Sequence, residues 1–453
     1  MEQKRNILLR GTESFSRGEF DNVALENGAI VLDDVAGRHV LYGCYTGPEL
    51  ALPAFCSLNM SWNAITPHGT VVEAQCRVLA AGEWSPWKSF GKWSPEYPRK
   101  SVRSNEENSA VFVMGDLVTV AVPGGANAVQ MRIYMYTDDE RVTPSVRLLA
   151  VAARPLQWEK QSGAPVNRTL YLPEYDTASH DPSFGASMDL PLTVTALMNR
   201  YGADILPEEI AYAMSDGATA DCHNAAYAAA AAGACGCECY QAWMDLREVR
   251  GEIRAGYSLA VEMERGGTGR AGGTVWMGLR GFGHDDGVHA DYVQLNDPCK
   301  PRGAVPRTMA LADFSRYFTG RALVLHPRAH GLTGNLPLRY GCTLKNAAEG
   351  EYSYEYRGEP FPLPEDFSGW LACTARGDDA FATTAQRVFH RLERTASGGI
   401  RLPEELRVPG TRYTIYAVDA AGSMRVAELR LPGQSPTLLD TASPARQPEE
   451  KES

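Results

Sequence analysis

Short runs of apolar or alternating residues, each closed by turn residues, fill the first 155 positions, and no helical period competes with them. The runs cover 29–32, 39–45, 71–79, 110–113, 117–122, 129–136 and 146–151. Many short strands at this spacing bury one face each against a second layer, so 1–155 is expected to form a β-sandwich. Aromatic residues gather at Trp62, Trp84, Trp87, Phe90 and Trp93. They either fill the sandwich core or, if exposed, offer stacking surfaces for a sugar.

The pattern changes after a polar linker at 156–168. Val194, Leu197, Met198 and Tyr201 recur at i, i+3, i+4 and i+7, which is one buried stripe of a helix over 190–201. Pro207 opens a second helix over 208–214. An alanine-rich helix spans 223–232 before Gly233, and another spans 246–255 before Gly256. Strands are expected at 257–263, 274–282, 290–296 and 322–326, with a helix at 310–318. Helices followed by an antiparallel sheet give an α+β unit over 169–330. Residues 331–432 read as a smaller β domain with a hairpin at 413–431. Residues 433–453, rich in Pro, Ser and Glu, read as a disordered tail.

The stretch 169–330 resembles the bacterial papain-like cysteine peptidases of the bacteriocin-processing (double-glycine leader) type, in their divergent multidomain branch. The resemblance rests on ordered phrases. Asp189-Leu190-Pro191-Leu192-Thr193 runs to Tyr201-Gly202. Cys222-His223-Asn224-Ala225-Ala226-Tyr227-Ala228 opens the small-residue helix. Ile253-Arg254-Ala255-Gly256-Tyr257-Ser258-Leu259 leads from helix to strand. A strand runs from Thr274 to Gly281-Phe282, and Asn296-Asp297-Pro298 follows. Met60-Ser61-Trp62-Asn63-Ala64 and Trp84-Ser85-Pro86-Trp87 look like the domain that precedes the peptidase in such proteins.

The resemblance implies a papain-like site with its key residues replaced. That chemistry needs a thiolate at a helix N-terminus, a histidine base and an acid or amide that orients it. Asp189 stands at the nucleophile position. Thr274 or Val275 stands at the histidine position, and neither accepts a proton at neutral pH. The glutamine that would donate to the oxyanion falls at Asp176 or Thr177. Asp297, the orienting acid, is kept. A hairpin folded about residue 286 would put Asp297 opposite Val275. Asp189 before Leu-Pro also makes a good helix N-cap.

Three readings follow. The first is a catalytically degenerate papain-like domain between two β modules, binding a peptide or cell-wall-like ligand. The second is an active cysteine peptidase with its nucleophile moved to Cys222, beside His223 and with His180 upstream; Asp221 opposes it by raising the thiol pKa. The turn-end His284 and His289 lie far from the Val275 end, and His326 reads as structural. The third is a glycan-binding protein acting through the sandwich tryptophans.

Charge and cysteines narrow the partners. A net charge of -11 argues against nucleic acid. No apolar run is long enough to span a bilayer and no secretory signal is evident, so the chain reads as cytoplasmic as written, although the family resemblance also allows a place outside the cytoplasm. The ten cysteines show no disulfide framework. Cys235, Cys237 and Cys239 would share a strand face roughly 6.6 Å apart, too far for a disulfide, and read as core. No metal or cofactor motif is present.

Overall fold

The computed structural model describes residues 4–95, 99–102, 110–177, 188–203, 205–219, 221–265, 273–285, 290–301, 303–327, 342–356, 358–376, 390–418 and 424–433. It is mostly β, with few helices. Among these residues, the N-terminal part builds a thirteen-stranded antiparallel sheet. Its inner faces carry Val72, Ala74, Cys76 and Val78 from strand Thr70–Ala80, and Val129, Met131, Ile133 and Met135 from Ala126–Thr137. Period-two alternation explains why these two strands were legible in the sequence.

Strand Leu50–Ile65 was not expected, and it is the longest of all. Its apolar side, Leu58, Met60 and Trp62, faces the sheet core. Its polar side, Ser57, Asn59, Ser61 and Asn63, is buried as well. These polar residues meet strand Glu238–Trp243, the end strand of a seven-stranded sheet. That strand pairs on one side with Phe318–His326. Its other edge would expose unpaired N–H and C=O groups.

Side chains from the N-terminal part occupy that edge instead. Asn63 Nδ2 donates to the Cys239 carbonyl at 2.7 Å and to Ala229 O at 3.2 Å, and Asn63 Oδ1 accepts from Cys239 N at 3.0 Å. Ser61 Oγ accepts from Gln241 N at 3.0 Å. Asn6 accepts from Trp243 N and donates to Trp243 O, at 3.0 and 2.9 Å. Asn59 Oδ1 accepts from the Trp243 indole at 3.2 Å.

Helix Ala225–Ala234 lies against the same strand. Every one of its residues is buried, and a methyl added at Gly233 would sit 2.5 Å from Asn63. The alanine run therefore permits close approach rather than merely favouring helix. Asn224 caps it, accepting from Ala226 N and Tyr227 N, so the helix starts two residues later than the sequence suggests. One apolar core runs from Leu9 through Trp62 and Tyr227 to Leu325. In the 156–168 segment, Trp158 meets Trp243 edge-on at 6.3 Å, Gln161 N donates to Asp245, Gln161 O accepts from Arg247 N, and Val166 packs on the second apolar core.

Only Cys239 of the cysteine trio sits in a strand. Cys235 follows the alanine helix as its C-cap and Cys237 lies in the turn, because the helix runs further than expected. All three are buried and none forms a disulfide. The C-terminal part forms five- and four-stranded sheets, with the expected hairpin at Arg412–Val418 and Met424–Arg430. It touches the remainder through His68 against Tyr356 and Phe361, and through Tyr212 against Tyr416. The tail beyond 433 lies outside the described residues, and no described helix is long and apolar enough to cross a membrane.

Asn63→Ala should lower the unfolding free energy by about 3 kcal/mol, because it strands several buried backbone groups at a cost of about 1–3 kcal/mol each. Urea titration should also show the N-terminal and middle parts unfolding in one transition.

Candidate functional site

Helix Asp189–Asn199 begins at Asp189 itself, with Met188 as the N-cap and no side-chain cap. The expected N-cap role of Asp189 is thus corrected: its carboxylate points away from the helix backbone. One oxygen accepts from Trp276 N at 2.8 Å, and the other bonds His223 Nε2. Asp189 is fully buried.

The reason lies in the sheet. Strand Thr274–Asp285 pairs with Leu259–Glu264 through Trp276 and Glu262. On its other side, pairing with Ala290–Asn296 stops at Gly278 opposite Asn296. The backbone of Trp276 therefore lacks a strand partner there. Asp189 takes its N–H, and Thr193 Oγ1 donates to its carbonyl at 3.3 Å.

His223 precedes the cap of the alanine helix, which sends its ring toward Asp189. The hydrogen bond to Asp189 raises its pKa, with burial acting in the opposite direction. The imidazole side chain is still 39% exposed. Among the described residues, the ring makes no hydrogen bond to a cysteine, serine or threonine side chain. The sequence offered one usable signal for this pair: Asn224 as an N-cap puts residue 223 just outside the helix, over its N-terminus.

The two candidates for the histidine position differ. Val275 is buried in the second core with Met263 and Met277, on the sheet face away from Trp276. Thr274 shares the face of Trp276, and its hydroxyl donates to Glu262 at 3.1 Å. Asp297 does not lie opposite Val275. Asp285 pairs with Ala290, which centres the hairpin beyond residue 286, and a bulge at Arg280 shifts the register. Asp297 accepts from Arg307 Nη1 at 2.9 Å and from Cys299 N at 3.1 Å, so it braces the turn that follows. Asn296 instead anchors the incoming segment, donating to the carbonyls of Leu172 and Pro173. Thr177 N donates to Pro298 O, which brings the expected oxyanion segment beside Asp297 and Pro298.

Cys222 is 2% exposed, and its thiol meets the Ala211 carbonyl at 3.5 Å. His284 pairs with Asp291, and His326 pairs with Glu252 while packing on Tyr257. His180 and His289 lie outside the described residues. Trp62, Phe90 and Trp93 are fully buried. Trp84 and Trp87 are half-buried, and the Arg77 guanidinium lies over both rings.

A part-buried cation missed in the sequence sits beside the pair. Arg321 lies under the Trp276 ring at 5.5 Å and joins Glu262, Gln241 and Asp116. Asp116 comes from the N-terminal sheet and also accepts from Ala225 N at the start of the alanine helix. Behind the sheet, a cavity of about 330 Å³ is lined by Met263, Met277, Met309, Val275 and Tyr317, with Arg265 and Asp313 among its polar residues. Among the described residues, no group of His, Cys, Asp and Glu is placed to hold a metal.

Residues 7–154 match the family model described as the Peptidase C39 N-terminal domain. That match covers about a third of the chain. It falls on the region expected to resemble the domain preceding the peptidase. No curated protein matches the chain. Among solved structures, a double glycine motif protease from an AMS/PCAT transporter, in complex with its leader peptide, is similar at 15% identity. The likeness covers 36% of this chain and 95% of that one, with a TM-score of 0.26. The C-terminal CBM6 of LamC, a laminarinase of Zobellia galactanivorans, is similar at 14% identity over 32% of this chain and 98% of that one, with a TM-score of 0.17. TM-scores this low carry no structural inference.

The raised pKa of His223 fixes the sign of a pH effect. The stability from its protonated form is fully present below about 6.5, the unfolded value, and is lost as pH rises through the higher folded value. Asp189→Asn should therefore lower the His223 pKa in an NMR titration of the imidazole. His223→Gln should remove the fall in stability between neutral and alkaline pH that is expected of the wild type.

Proposed function

We propose that this chain is a peptidase-related protein whose middle part is a papain-like domain without a working catalytic centre, and that it binds a peptide or cell-wall-like ligand. The observation that carries this reading is the state of Asp189. The nucleophile position holds a buried carboxylate whose two oxygens are taken by a backbone N–H and an imidazole. A pinned carboxylate is a poor attacking group for an amide, and Thr274 and Val275 supply no base in place of the missing histidine. The match to a Peptidase C39 N-terminal domain supports the relationship to peptidases. The methionine-lined cavity supports binding, since its apolar, deformable lining suits an apolar side chain of a peptide.

A moved nucleophile at Cys222 has less support. Its sulfur is enclosed and turned to a carbonyl, while the neighbouring imidazole is committed to Asp189. Sugar binding through the tryptophans needs at least two exposed, roughly coplanar rings. Three of the five aromatics are in the core, and the other two lie under an arginine.

Incubation with fluorescein-labelled casein and an iodoacetamide probe tests the reading. The expected result is no casein turnover and no cysteine labelled faster than an exposed control thiol such as Cys299. Turnover that disappears in Cys222→Ala would overturn it in favour of an active cysteine peptidase.

A further inference from the structure

The seven-stranded sheet has two end strands, and they are finished differently. Side chains of the N-terminal part seal the edge of Glu238–Trp243. The opposite end is strand Pro306–Ala310, which pairs with Ala290–Asn296 on one side. One hydrogen bond fixes the phase of that pairing. Asp297 N donates to the Val305 carbonyl at 2.8 Å, and these two residues continue the register of Asn296 opposite Pro306. In an antiparallel ladder, opposed residues alternate between pairs that exchange hydrogen bonds and pairs that do not. Residues 305, 307 and 309 therefore turn their backbone groups inward, and residues 306, 308 and 310 turn theirs outward.

The outward groups are the Pro306 carbonyl, the N–H and carbonyl of Thr308, and the Ala310 N–H. Among the described residues they meet no partner. Thr308 and Ala310 are exposed. Proline is tolerated at 306 because the N–H it lacks would have pointed outward, and it blunts only that first position. The pairing has no bulge, and the one charged side chain of the strand, Arg307, is drawn back to Asp297. Two common ways of closing a sheet edge are thus not used here. The methionine-lined cavity borders the same strand: Arg307, Thr308, Met309 and Ala310 form part of its wall, together with Met277 and Tyr317.

We infer that an extended peptide pairs with the outward edge of Pro306–Ala310 as a further strand and places an apolar side chain in this cavity. The inference rests on the ligand-binding reading above and selects its peptide form. In an antiparallel addition Thr308 exchanges two hydrogen bonds with one peptide residue. Pro306 O and Ala310 N reach the peptide residues two places to either side. A glycan chain has no alternating N–H and C=O groups at strand spacing and cannot complete this ladder.

Affinity selection with the full chain, from a pool of acetylated hexapeptides built from Thr, Val, Leu and Lys, supplies the probe. Hydrogen exchange followed by NMR then reads the edge. Without peptide, the Thr308 and Ala310 amides should exchange fast and the Arg307 and Met309 amides slowly. Saturation with the selected peptide should slow the first two at least ~10-fold. Single N-methylation along the peptide should abolish binding at alternate positions only. Thr308→Pro removes one outward N–H without touching the existing ladder and should weaken binding at least ~10-fold. Thr308→Ala keeps the backbone and should bind like the wild type. Should Thr308→Pro fail to fold, the N-methyl series decides with the wild-type chain. Selection of no peptide, or N-methyl effects without alternation, would overturn the inference. Thr308 and Ala310 amides already protected without peptide would also overturn it, and protection that grows with chain concentration would assign the edge to a second copy instead. Peptidoglycan fragments bound equally by the wild type and by folded Thr308→Pro, with no peptide selected, would overturn it and leave the broader binding reading standing.

Discussion

The free edge of strand Glu238–Trp243 is the constraint on which the arrangement depends. An open edge in a sheet invites pairing with another chain. Here asparagine and serine side chains of Leu50–Ile65, together with Asn6, supply the missing donors and acceptors. The N-terminal sheet thereby substitutes for a neighbouring strand without joining the ladder. Each buried amide is costly unless paired, so the two parts are stable in contact and would carry unsatisfied groups apart.

The same solution appears at Trp276. There a strand again runs past its neighbour, and the side chains of Asp189 and Thr193 take up the exposed backbone groups. This explains why a carboxylate is buried at the start of a helix, a place where a thiolate would be at home. The aspartate has a structural reason to be present, which is independent of any chemistry. His223 then gains an anionic partner, and Arg321 links the neighbourhood to Asp116 of the N-terminal sheet.

The sequence was most legible where burial is one-sided. Strands with an outer polar face and an inner apolar face, such as Thr70–Ala80, announce themselves by alternation. Leu50–Ile65 alternates as well, but its polar residues face a second layer of protein instead of water, and nothing in the local pattern distinguishes the two. Asp297 was misplaced opposite Val275 because a bulge at Arg280 and a turn centre beyond residue 286 are set by pairing across the hairpin. The meeting of Asp189 and His223, thirty-four residues apart in the chain, comes from the packing of two helices and a strand, which no local pattern records. The C-terminal hairpin was legible because its two strands are adjacent in sequence.

The alanine helix can be viewed as a spacer of fixed thickness. Its residues have no side chain longer than a methyl except Tyr227, whose hydroxyl reaches the Phe90 carbonyl. Helix and strand therefore approach to the limit that methyl groups allow. Any gain of volume along this rod would widen the gap that Asn63 has to bridge, so hydrogen bonding and packing here share a single tolerance. Drift in sequence at the rod would be filtered by geometry long before it altered helix propensity.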